Sequence, residues 1–186
     1  MSTRPPRQCW ATPPDAWQWI DKTFGPFELD VCATKHNSKC RLFIGPPDYD
    51  ETSTLEEPYC IAEDALHADW PGAKNPVKAF CNPPFADPFP WVLRAHDQMK
   101  RHGTHTWMLL HSASTPEWFD WAVEHATRIV LPRPRLQFVP PEGVKPSTNS
   151  KDSMLLEFRP GAGAAGVAEY MQWKPVTTAR RRKMGL

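Results

Sequence analysis

The sequence carries almost no excess charge: 22 Lys and Arg stand against 21 Asp and Glu, a net of +1. That excludes a polycation that binds nucleic acid through overall charge, so any basic footprint is local. No apolar run approaches the roughly 18 residues of a membrane span, and Met1-Ser2-Thr3-Arg4-Pro5-Pro6 lacks the apolar stretch of a secretory signal. The expectation is a soluble chain inside the cell. Five cysteines (Cys9, Cys32, Cys40, Cys60, Cys81) are odd in number and widely spaced, with no C-x-x-C. Seven histidines include no H-E-x-x-H. Neither a disulfide framework nor a metal site is expected, and the thiols read as packing groups in a reducing compartment. Nine glycines and 22 prolines stay below the roughly 25–30% of a low-complexity chain, and there is no internal repeat.

What is present is enough for a real core: 40% apolar residues with nine tryptophans in 186 positions, a length that suits one domain with a tail. Thr12-Pro13-Pro14-Asp15 reads as a helix start in which Thr12 caps and Asp15 completes a capping box. Ala16, Trp17, Ile20 and Phe24 then share a face, and Gly25 stops the helix. Short apolar strands are expected at residues 27–32, 41–44, 59–62, 77–81, 106–110 and 128–131, with helices at 90–102 and 114–126 between the later ones. Strands alternating with helices, several continuously apolar, predict an α/β fold with a mainly parallel sheet. Residues 136–139 and 153–158 are expected to pair as terminal antiparallel strands, and residues 161–166, all Gly and Ala, read as a linker to the basic run Ala179-Arg180-Arg181-Arg182-Lys183.

Polar residues punctuate the strand ends: Asp30, Asp64 and Asn82, where an open α/β sheet binds its ligands. Asn82-Pro83-Pro84-Phe85 is the sharpest of these signals. Two prolines fix extended geometry, remove two backbone donors and leave carbonyls to accept. The Asn82 amide oxygen and the Pro83 carbonyl can each accept one N–H of an exocyclic amine, while Phe85 stacks on its ring. Cys81 points to the opposite face of its strand and reads as packing.

The Asn-Pro-Pro-Phe turn resembles the catalytic motif of S-adenosylmethionine-dependent amino-methyltransferases. The wider series Trp10-Ala11-Thr12-Pro13-Pro14, Phe27-Glu28-Leu29-Asp30-Val31-Cys32-Ala33-Thr34, Asn37-Ser38-Lys39-Cys40, Asp64-Ala65-Leu66, Asp69-Trp70, Phe80-Cys81-Asn82-Pro83-Pro84-Phe85, Pro90-Trp91-Val92 and Arg135-Leu136-Gln137-Phe138 resembles the phage-type DNA N6-adenine methyltransferases. The likeness spans residues 10–160. It implies a Rossmann-like methyltransferase fold over residues 1–160, and the linker and basic tail over 161–186 lie outside it. It implies S-adenosylmethionine as cofactor and a flipped adenine in DNA as substrate, inside a bacterial host of a phage or prophage. By the same resemblance Thr12 and Pro13 hold the methionine end of the cofactor. Asp30, at the end of the first strand, faces the cofactor's amino group or ribose with Cys32 as a further cofactor contact, and Asp64 accepts from the cofactor adenine. Asn82, Pro83, Pro84 and Phe85 form the catalytic turn that holds the target adenine, Asn82 touching the cofactor as well. The turn after the first strand contains no glycine, where the superfamily usually has a glycine-rich one.

Residues 132–152, with Arg133, Arg135, Lys145 and Lys151, are the candidate segment for target recognition, and Arg180, Arg181 and Arg182 the candidate phosphate contacts. Trp17, Trp19, Trp118 and Trp121 read as packing, Trp70 and Trp91 as possible pocket walls. His36 and His111, near strand ends, read as solvated or structural. Two alternatives stand beside the DNA reading: the same chemistry on RNA or protein glutamine, and a nucleic-acid-binding module that has lost its cofactor.

Overall fold

The computed structural model describes residues 11–46, 58–71, 77–112, 117–140 and 152–174. In chain order its elements are α1 (Pro14–Phe24), β1 (Leu29–Asp30), β2 (Leu42–Ile44), β3 (Tyr59–Ala62), β4 (Lys78–Cys81), α2 (Phe89–His102), β5 (His105–His111), α3 (Glu117–His125), β6 (Arg128–Arg133), β7 (Ser153–Phe158) and β8 (Ala168–Gln172). The strands form one sheet in the order β3-β2-β1-β4-β5-β7-β6-β8. Every neighbouring pair is parallel except those of β7, which runs antiparallel to β5 and β6. This is the expected Rossmann-like arrangement: a mainly parallel sheet with an antiparallel strand near its C-terminal side.

Period-2 alternation divides the core between the two faces of the sheet. Ala16, Ile20 and Phe24 of α1 pack with Phe80, Trp107, Leu109, Val130 and Leu155. Val92, Ala95 and Met99 of α2 and Trp118 and Ala122 of α3 cover the other face with Ala79, Cys81, Met108 and Leu156. Each fully buried Ile, Leu or Phe contributes about 1.5–3 kcal/mol relative to exposure. Gly103 ends α2 at φ 71°, the left-handed conformation that a residue without Cβ adopts freely. Lys78 of β4 donates from Nζ to the Phe24 and Gly25 carbonyls at 2.8 and 3.1 Å, which caps α1 and ties it to the strand preceding Asn82.

Two expectations for the C-terminal part are corrected. Residues 153–158 do form an antiparallel strand, but its partners are β5 and β6, while residues 136–139 contribute only an antiparallel bridge from Val139 to Ala11. Two continuous apolar strands offer β7 six and three paired positions, more than the proline-flanked 136–139 segment can supply. The sheet also continues past residue 160. Gly161 and Gly166, at φ 75° and 67°, turn the chain so that β8 adds parallel to β6 over five residues. An exposed edge strand carries little apolar alternation, which is why it reads as linker in the sequence.

Candidate active site

All the parallel strands end on one edge, and the order reverses between β1 and β4, the switch point where such sheets open a crevice. Phe80 faces α1 and Cys81 the α2 and α3 side, as expected, so Asn82 returns to the α1 side. There its Nδ2 donates to Thr12 Oγ1 at 3.3 Å, and Thr12 is buried. The capping box is therefore a correction: Pro13 is the N-cap without a side-chain bond, and Asp15 Oδ1 accepts from the adjacent Ala16 N–H at 2.8 Å. With prolines at the N-cap and the first helical position, α1 has few orphan donors for a threonine to satisfy, and Thr12 is free to hold Asn82. The other amide atom, Asn82 Oδ1, is buried without a hydrogen-bond partner. An unsatisfied buried acceptor costs about 1–3 kcal/mol, so the site retains it at the expense of stability.

Pro83 is buried and Pro84 and Phe85 half-buried, and among the described residues no donor reaches the Pro83 carbonyl. Phe85 stacks on His111 at the end of β5, with centroids 3.7 Å apart, and meets Phe138 edge-on at 5.2 Å. His111 thus belongs to the aromatic wall of this turn. Its position at the end of the strand beside β4 was the available signal. Phe138, of the Arg-x-x-Phe segment, is carried here by the Ala11–Val139 bridge, which also fixes the residue before Thr12.

The glycine-free turn after β1 is built by other means. Asp30 accepts from the backbone N–H of Cys32 at 3.3 Å and of Lys39 at 3.1 Å. Burial pushes its carboxyl up to about 6, against those two hydrogen bonds. No ion-pair partner meets it among the described residues. The close backbone approach that a glycine would permit occurs one strand over: a Cβ on Gly45 would lie 1.8 Å from the Ala33 carbonyl oxygen. Cys32 is half-buried, and burial, then the Asp30 charge, push its thiol up to about 12. Asp64, beyond β3, is exposed and accepts from the Leu66 N–H at 2.9 Å and pairs with His67 Nδ1 at 2.7 Å. The His67 hydrogen bond holds its carboxyl below the usual range.

Arg133, at the end of β6, lies over the Tyr170 ring at 4.8 Å. Arg135 pairs with Asp152 at 2.8 Å. Lys145, Lys151, Arg180, Arg181 and Arg182 lie outside the described residues. Trp70 is no pocket wall: it is buried on the α2 side, donating from Nε1 to the Ala65 carbonyl. Among the described residues no cluster of three or more metal-ligating side chains occurs, and no helix is long and apolar enough to cross a membrane.

A family model described as DNA N-6-adenine-methyltransferase (Dam) matches residues 2–181. The chain is 33% identical over 159 residues to a protein of Haemophilus phage HP1 named DNA N-6-adenine-methyltransferase, covering 84% of this chain and 81% of the relative. It is 27% identical over 124 residues to a protein of the same name from Escherichia phage T1, covering 67% of this chain and 44% of that one. Set beside the Asn82-Pro83-Pro84-Phe85 turn at the switch point of the sheet, these matches establish that the chain belongs to the DNA N-6-adenine-methyltransferase (Dam) family.

Proposed function

We propose that the protein methylates the exocyclic N6 amine of a flipped adenine in DNA, with S-adenosylmethionine as donor, and that Asn82, Pro83, Pro84 and Phe85 carry the reaction. The observation that supports this most directly is the buried, unpartnered Asn82 Oδ1 beside the Pro83 carbonyl. A primary amine supplies two N–H groups, one for each acceptor. Together they draw the nitrogen lone pair away from the ring and stabilise the charge that develops on nitrogen. Thr12 fixes the amide through its other end, so the acceptor is oriented before substrate arrives. Phe85 and His111 supply the aromatic surface for the base, which must leave its stack to reach the turn.

The donor set fits the cofactor. Asp30 is a buried carboxyl at the switch point without an ion-pair partner among the described residues, and a cationic amino group beside it would restore its charged form. Thr12, bonded to the acceptor amide, and Pro13 are read as holding the methionine end, and Cys32 and Asp64, after β1 and β3, as the remaining cofactor contacts. The bound cofactor supplies an electrophilic sulfonium methyl, so the protein need only align and exclude. Arg133 at the end of β6 and Arg135 just after it, with Lys145, Lys151, Arg180, Arg181 and Arg182, are the DNA contacts that position the duplex. The phage relatives support action inside a bacterial host cell.

The test is incubation with unmethylated DNA and S-adenosylmethionine, followed by nucleoside mass spectrometry. N6-methyladenine is the expected product. Methylated cytosine, or methyl transfer only to RNA or to protein glutamine, refutes the assignment, and absence of saturable cofactor binding with DNA affinity retained returns the chain to the binding-module alternative.

A further inference from the structure

On the same edge of the sheet as the catalytic turn, at the end of β6 and the start of β7, lies a cleft of about 440 Å³. It lies in the size range of small-ligand sites. One wall is Tyr170 of β8, 69% exposed, with the Arg133 guanidinium over its ring. Such a mostly exposed aromatic on an edge strand, oriented by a stacked arginine, is a platform for a planar group. The rest of the lining is polar and of mixed sense: Gln137 brings an amide, and Arg135 and Asp152 a pair that leaves the cleft near neutral. Ser153 lines it too, and its buried Oγ has no hydrogen-bond partner. Ser153 is also the register partner of His111, whose ring stacks on Phe85, so the Ser153 end of the cleft lies one strand from the aromatic wall of the turn, and Tyr170 lies two strands further out.

We propose that this cleft binds a nucleobase neighbouring the target adenine, stacked on Tyr170 and Arg133 and read by Gln137. The inference rests on the DNA reading given above. A backbone phosphate is the competing occupant, but Asp152 opposes an anion and Tyr170 offers it nothing, whereas a neutral base uses both the platform and the mixed donors and acceptors.

The experiment maps methylated adenines by long-read sequencing of unmethylated plasmid DNA treated with limiting amounts of wild type, Tyr170→Ala, Tyr170→Phe, Gln137→Ala or Arg133→Gln. Tyr170→Ala and Gln137→Ala are expected to relax base preference at a position flanking the methylated adenine. Loss of one stacked base lowers kcat/KM on the wild-type site about 5-fold to 100-fold for Tyr170→Ala, with Tyr170→Phe close to wild type. An unchanged site preference in Tyr170→Ala and Gln137→Ala overturns the proposal, as does equal loss in Tyr170→Phe. If Arg133→Gln alone acts, reducing the slope of log affinity against log salt by about one with sites unchanged, the occupant is phosphate and the base assignment falls. Should wild type methylate no DNA, the reaction assignment fails by itself. The cleft is then judged by anisotropy with a fluorescein-labelled duplex: a Tyr170→Ala loss of affinity sustains it, and equal affinity removes it.

Discussion

Replacing Asn82 by alanine should abolish most activity while leaving stability nearly unchanged. The side chain makes one long hydrogen bond to Thr12, 3.3 Å, worth about 0.5–1.5 kcal/mol, while leaving Oδ1 buried and unpartnered at a cost of about 1–3 kcal/mol. Asn82→Ala removes both contributions, and because the residue is half-buried the cavity it leaves is small. Thr12 Oγ1, itself buried, then loses the Asn82 donor at a similar cost, so the net change stays within about 1 kcal/mol of zero and Tm moves by no more than about 2–4 °C. Methyl transfer loses an acceptor that acts on the charge developing in the transition state, for which about 10²–10³ in kcat is the expected loss. Scanning calorimetry of the ligand-free protein reads the first quantity and N6-methyladenine formation the second. A fall in Tm of more than about 4 °C would show that the amide is held for packing. Turnover near wild type in the folded variant would remove Asn82 from the reaction.

Three further outcomes test the surroundings of the site. Asp30 titrates near 6 when folded, above its ordinary 3.8, so the folded state holds the proton more tightly. Its contribution to stability therefore falls as pH rises from about 4 to about 6. The Tm difference between wild type and Asp30→Asn should decline across that window, and parallel melting profiles refute the burial argument. Gly45→Ala places a Cβ 1.8 Å from the Ala33 carbonyl and should lower Tm by roughly 5–10 °C through overpacking of backbone against backbone; an unchanged melt means that the β2 end yields freely. Deleting residues 161–186 strips β6 of its β8 partner and takes Met171 and Trp173 from the α1 cluster, for a loss of roughly 2–5 kcal/mol in chemical denaturation. Deleting only 175–186 should leave that stability intact and flatten the salt dependence of DNA affinity. Equal stability of the two truncations would return β8 to the status of a linker.

Local chemistry made much of this protein legible in its sequence. The apolar runs at 59–62 and 106–110 and the periodic stretch from 90 ended by Gly103 became β3, β5 and α2, because period and stop signals act within a few residues. Asn82-Pro83-Pro84-Phe85 needs only its own prolines to fix an extended turn after a buried strand, so that turn and its chemistry could be read from four residues. Strand β8 could not be read, since an exposed edge strand lacks the alternation that marks a buried one.

Pairing across the chain was decided only in three dimensions. Nothing near Thr12 announces that its hydroxyl belongs to an amide 70 residues away, and its place before two prolines favours the local capping reading that the fold overrides. The Phe85 and His111 stack, the Ala11–Val139 bridge and the Gly45–Ala33 approach each join residues from different elements. Their partners are selected by strand order and register, which depend on the packing of both faces of the sheet at once. The sequence by itself determined which residues end the strands and the chemistry they bear; the tertiary structure alone decided which of them meet, because a local pattern sets conformation while only the closed core sets distance.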